Sequence, residues 1–179
     1  MHRFRQHAVL ATCVTLTLVS LACSATSGEP AEVVVAQFFE NVYTGDADAI
    51  DPLFFRIAEI EADEAAWLAL IDRVVQQVAD DQSKWNIVCS RELSTAAVVV
   101  VNQTRKAGKP HGDLDAVFLV KQDGHWRMLP DTIAPNAKRV VAAAMSQAQA
   151  SELFELQGWS SRAILGQESD CKRQDPRPE

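Results

Sequence analysis

The sequence predicts an α+β fold, with helices in the first part of the chain packed on an antiparallel four-stranded sheet. Three observations lead there. Apolar residues recur at helical spacing through residues 31–44 and 63–80, and the period shortens to strand-like alternation from Trp85 onward. Asp123-Gly124 then supplies a two-residue hairpin turn between the last two strands. A set of helices followed by a meander of strands makes an α+β domain rather than a parallel α/β one.

The chain opens with a leader. Met1–His7 carries Arg3 and Arg5 and no acid, and Ala8–Ala22 is uncharged and rich in Ala, Val, Leu and Thr. A basic start before a short apolar run is the pattern of a secretory signal, and the run falls short of the ~20 apolar residues of a membrane span. Residues 1–22 are therefore expected to be a signal peptide. Ser24–Pro30 is small and polar, the composition of a linker.

The first helix is expected over Ala31–Thr44, with Val34, Val35, Phe38, Phe39 and Val42 on its apolar stripe, Pro30 near its first turn and Gly45 as its stop. Asp46 can cap a short second helix running to Ile50, and Leu53–Ile60 reads equally as helix or brief strand. A third helix, Asp63–Asp80, aligns Trp67, Leu70, Ile71, Val74 and Val78, with Glu61, Asp63 and Glu64 favourably placed at its positive end.

Strands are expected over Trp85–Leu93, with Trp85, Ile87 and Cys89 on one side, over Thr95–Thr104 around the run Val98-Val99-Val100-Val101, over Leu114–Gln122, and over His125–Leu129. Beyond them, residues 132–159 read as a C-terminal helical appendage outside the core pattern. It either bends near Ser146–Ala150 or is two pieces, and it stops at Gly158. Residues 160–179 have the composition of a mobile polar tail.

Two stretches carry resemblances. Ser20-Leu21-Ala22-Cys23 resembles the lipobox of bacterial lipoproteins, with Ser20 where leucine is usual. It implies lipidation of Cys23 as the new N-terminus, with residues 23–30 serving as attachment point and linker. Ordinary cleavage after Ala25 and an uncleaved anchor are the alternatives. Ser24 in the position after the cysteine implies the periplasmic face of the outer membrane. One acyl chain binds a membrane reversibly and two or more hold firmly, since each buried methylene contributes ~0.8 kcal/mol.

The helix-one ending Thr44-Gly45-Asp46-Ala47-Asp48 and the closing hairpin Lys121-Gln122-Asp123-Gly124-His125-Trp126-Arg127-Met128 resemble the nuclear transport factor 2-like superfamily over residues 31–131, and within it a branch of small bacterial lipoproteins of unknown function. The resemblance implies a cone-shaped curved sheet around the long helix, often enclosing an apolar pocket. It leaves activity open, because the fold hosts isomerases, dehydratases, polyketide cyclases and purely binding members.

Charge and residue counts narrow the partners. Removing Arg3 and Arg5 leaves fifteen basic residues against twenty-four acidic ones, a net charge of −9 that disfavours nucleic acid. Of the four cysteines, Cys13 leaves with the leader and Cys23 takes the lipid. Cys89 and Cys171 remain, either as a disulfide pair in an oxidising compartment or as a buried free thiol and a thiol in the tail. With His111 and His125 alone among the later histidines, no zinc site is expected, and no cofactor motif is present.

The candidate pocket residues are Phe38, Trp85, Asp115, Phe118 and Trp126. Asp46, Asp48 and Asp51 read as caps of a solvated turn. His111 and His125 read as loop histidines, and Trp67 and Trp126 as core aromatics. The expected function is a noncatalytic, membrane-anchored binding or scaffold domain for a small apolar ligand or a partner protein. The alternative is a small isomerase- or cyclase-type enzyme using Asp115 or His111 as acid or base in an apolar pocket. An exposed apolar face from Val140 to Leu156 would instead mark the C-terminal helix as a docking surface.

Overall fold

A computed structural model describes residues 28–81, 84–104, 113–169 and 171. The expected signal peptide, the lipidation site Cys23 and His111 all lie outside the described residues. So does the end of the tail beyond Cys171.

Helix α1 (Ala31–Thr44) buries Ala31, Val34, Val35, Phe38, Phe39 and Val42 along one side. No side chain of its own caps it. Instead Glu92, from a strand, accepts the Ala31 N–H at 2.6 Å, placing an acid at the positive end of the helix. The helix stops at Gly45, whose φ of 77° is costly for residues bearing a Cβ. The Asp46 N–H reaches back to the Asn41 carbonyl at 2.9 Å, closing a Schellman turn.

Asp46 then accepts the Ala49 N–H at 3.1 Å and caps α2 (Ala47–Ile50). A 3-10 turn, Asp51–Leu53, leads into the ambiguous segment. That segment resolves into an extended step, with Phe54 bridged in parallel to Met128, followed by α3 (Ala58–Ala62). Helix α4 (Glu64–Asp81) follows, with Asp63 accepting the Ala66 N–H at its start.

Aromatic rings tie the helical layer together. Phe38 meets Phe54 edge-on at 5.8 Å, and Phe54 meets Trp67 at 5.1 Å. The Trp67 indole N–H donates to Asp51 at 2.7 Å, and Arg56 pairs with the same carboxylate.

The sheet is a curved, open antiparallel meander in the order β1-β2-β3-β4: β1 (Lys84–Glu92), β2 (Ala96–Thr104), β3 (Asp113–Gln122) and β4 (His125–Met128). Asp123 and Gly124, at φ 53° and 82°, make the tight turn expected between the last two strands. Val99, Val101 and Val117 point toward α1, and Val98, Val100 and Phe118 point to the opposite face, because cross-strand partners share a face and neighbours alternate.

Two expectations change here. Cys89 does not share a face with Trp85 and Ile87. The register shifts between Ile87 and Cys89, so Ile87 opposes Val101 while Cys89 opposes Val100. The extra residue of this β-bulge turns Cys89 to the outer face. The C-terminal helix is also no appendage. The chain breaks after α5 (Lys138–Ala144), and Ser146 starts α6 (Gln147–Ile164) through a capping box with Gln149.

Helix α6 lies on the outer face of the sheet and buries Leu153, Leu156, Trp159 and Ala163 in the core. It runs through Gly158 because Trp159 and Ala163 bury against the sheet beyond that point. It stops at Gly166, where φ is 74° and the Gln167 N–H bonds the Arg162 carbonyl at 2.8 Å.

Three devices fix α6 in place. Glu152 accepts from the Thr95 N–H at 2.7 Å, the Ala96 N–H at 2.8 Å and the Thr95 hydroxyl at 2.9 Å. Gln149 donates to the Lys121 carbonyl at 2.8 Å. Cys171 is buried and disulfide-bonded to Cys89, across a Cα–Cα distance of 5.3 Å.

Candidate functional site

A cavity of about 250 Å³ opens where the C-terminal half of α1 faces one end of the sheet. Phe38, Phe39 and Val42 of α1 form its floor, and Val74, Gln77 and Val78 of α4 form one side. The sheet contributes Trp85, Gln103, Asp115 and Val117, and Thr132 and Ile133 close it from the segment after β4. The helical period puts the α1 residues on one face. The strand period puts Gln103, Asp115 and Val117 on the inner face of β2 and β3, and the register sets Gln103 opposite Asp113, just outside Asp115.

Trp85 is held on two sides. Its ring stacks on Phe39, with centroids 4.8 Å apart and planes 12° from parallel. Its backbone N–H donates to the Tyr43 hydroxyl at 2.6 Å, fastening the first residues of β1 to the end of α1. Burial raises the Tyr43 pKa above its ordinary value, and the bond from Trp85 only partly offsets that. Asp115 stands at the rim, exposed, its Oδ1 accepting the Ala116 N–H at 2.8 Å.

The structure brings together Phe38, Trp85 and Asp115 of the five candidate pocket residues. It separates the other two. Phe118 opposes Val98 on the outer face, toward α6. Trp126 opposes Lys121 at the other end of the sheet, 4% exposed, with the Lys121 ammonium 4.6 Å from its ring centre. It is a core aromatic.

Gln77 and Gln103 were not among the candidates, yet the sequence marks them. Gln77 falls in the apolar phase set by Leu70 and Val74, and Gln103 falls two residues past Val101 on an inner face that is otherwise apolar. A polar residue at an apolar phase is the signal. Thr132 and Ile133 come close through the 3-10 turn after β4 and carry no such mark.

Among the described residues no histidine lines the cavity; His125 is exposed at the Asp-Gly turn. Asp46 and Asp51 serve as cap and ion-pair partner, as described above. Among the described residues no group of three or more His, Cys, Asp or Glu is placed to hold a metal ion, and no helix is long and apolar enough to cross a membrane. The apolar residues offered as a docking face are largely spent internally, with Val141, Leu153 and Leu156 buried in the core.

No protein-family model and no curated protein matches the chain. Solved structures do. One, described as an NTF2-like transpeptidase of Campylobacter jejuni, is 18% identical over 56% of this chain and 98% of its own, with a TM-score of 0.44. A second, described as a calcium/calmodulin-dependent protein kinase type II association domain of Thiobacillus denitrificans, is 14% identical over 57% of this chain and 91% of its own, with a TM-score of 0.43. A third, an NTF2-like protein of unknown function from Shewanella baltica, is 17% identical over 55% of this chain and 84% of its own, with a TM-score of 0.37. Two of these three structures are described as NTF2-like, the superfamily that the helix-one turn and closing hairpin of this chain resemble.

Proposed function

We propose that this chain is a noncatalytic binding domain that takes a small apolar ligand into the cavity between α1 and the sheet. The observation that carries the reading is the lining itself. Aromatic and aliphatic walls from Phe38, Phe39, Val42, Val74, Val78, Trp85 and Val117 surround a few polar groups at separate points, the usual make-up of a ligand pocket. Among the described residues, the lining offers one carboxylate, Asp115, and no second acid or base to pair with it.

We further propose that the domain is exported across the inner membrane and tethered through lipid on Cys23 to the periplasmic face of the outer membrane. The leader sequence supports this, and the Cys89–Cys171 bond suits an oxidising compartment.

The test is uptake of the neutral single-ring fluorophore 4-(dimethylamino)benzonitrile, whose emission rises in apolar surroundings. The wild-type protein is expected to bind it with saturable enhancement, and Val117→Trp, which fills the cavity from β3, is expected to abolish the enhancement while keeping the circular dichroism spectrum. Equal enhancement by both proteins refutes the cavity as the site.

A second reading rests on Asp115, whose place on the lining suits a single acid or base of the isomerase or cyclase type. It requires Asp115→Asn to retain the bound molecule while losing its conversion.

A further inference from the structure

We infer that the ligand is a small organic cation: an aromatic or cycloaliphatic ring bearing an ammonium group. This rests on the reading of the cavity as a ligand site and specifies its chemistry. Among the described residues, Asp115 is the one charged side chain that lines the cavity, while Gln77, Gln103 and Thr132 are neutral. Three aromatic rings, Phe38, Phe39 and Trp85, make up much of the remaining wall.

A ring-bearing cation meets both features. Its apolar body replaces water against Phe38, Val42 and Val117. Its charge lies where the Asp115 carboxylate attracts it, in a lining that also holds the aromatic rings of Phe38 and Trp85. A carboxylate ligand of the same shape fares worse, because its charge must approach Asp115 with no basic side chain among the described lining residues to offset the repulsion.

The arrangement is also held in place. The stacking on Phe39 and the Tyr43 bond fix Trp85, and the Ala116 N–H orients Asp115, so little ordering is left for the ligand to impose. The cavity of about 250 Å³ limits the occupant to roughly one ring with a short arm.

Three probes of matched shape separate the possibilities: 2-phenylethylammonium, 2-phenylethanol and phenylacetate. Binding is followed by the Trp85 indole N–H resonance, assigned with Trp85→Phe. The ammonium compound is expected to bind about tenfold more tightly than the alcohol, a difference of about 1.4 kcal/mol, with the carboxylate weakest. In Asp115→Asn the advantage of the ammonium over the alcohol should fall to threefold or less, with alcohol binding kept.

The connection 105–112 carries Arg105, Lys106 and Lys109, so the anionic probe also shows which charge governs the site. Preference for phenylacetate, or equal binding of all three probes, overturns the cation inference and leaves the cavity reading intact. An unmoved Trp85 signal with every probe up to its solubility limit overturns both.

Discussion

Reduction of the Cys89–Cys171 bond should cost a large part of the stability of the molecule, and the size of the effect follows from its place in the chain. The two residues are 82 apart in sequence. Treating the bond as a constraint on the unfolded chain, closure of a loop of that length is worth ~4.5 kcal/mol, near the upper end of the 2–5 kcal/mol observed when native disulfides are removed. For a domain of this size each kcal/mol moves the melting temperature by roughly 2–4 °C, so a fall of roughly 9–18 °C is expected.

The assay is thermal unfolding followed by circular dichroism, with and without a phosphine reductant, in the wild type and in Cys171→Ser. The wild type should lose the full amount on reduction. The variant should start low and not respond to the reductant. A wild-type fall under about 3 °C with both thiols shown to be free refutes the reasoning. It would mean that residual structure already restricts the reduced unfolded chain about as much as the bond does.

Other expectations concern the same framework. Glu152→Ala leaves two N–H groups and a hydroxyl at the start of β2 without their acceptor and should cost about 2–3 kcal/mol, measured by urea unfolding. Burial raises the Glu152 pKa, but the bonds from Thr95 and the Ala96 and Ser94 N–H groups outweigh it and hold the carboxyl below its ordinary value of 4.5. The stability that its charge contributes is therefore present above that value and lost as pH falls through the lower folded-state pKa, so the gap between wild type and Glu152→Gln should close on acidification.

Trp67→Phe keeps an edge contact with Phe54 but removes the indole donor to Asp51, for a cost of about 1–2 kcal/mol in the same urea assay. Metabolic labelling with a palmitate analogue should mark the wild type and not Cys23→Ala; equal labelling of the two excludes lipid at that residue.

Much of the architecture was legible because local and global signals agreed. The α1 stripe, the Gly45 stop, the α4 face and the Asp123-Gly124 turn all follow from spacing and turn chemistry alone. The C-terminal helix read as an appendage, although a signal for its placement lay in a different residue run. Val98, Val99, Val100 and Val101 are all buried, and four successive apolar residues in one strand mean a sheet covered on both faces. That run called for a second covering layer, which the C-terminal helix supplies.

The face assigned to Cys89 could not be read, since a bulge leaves the alternation looking regular while the partner strand slips by one. For the site, period-2 counting reaches Asp115, but only the register separates it from Trp126 at the far end of the sheet. Nothing in the local sequence brings Thr132 and Ile133 to the cavity; that depends on how the chain turns after β4.

The bulge at Val88 makes one edge strand answer to two tolerances at once. Upstream of it Trp85 must face inward to wall the cavity, and downstream Cys89 must face outward to meet its sulphur partner. Deleting Val88 would keep both, since Ile87 and Cys89 already oppose the adjacent Val101 and Val100, whereas drawing Val88 into a regular ladder would set these demands against each other. If the indole kept its seat, the thiol would be aimed into the helical layer, and if the crosslink survived, the indole would be turned out to solvent.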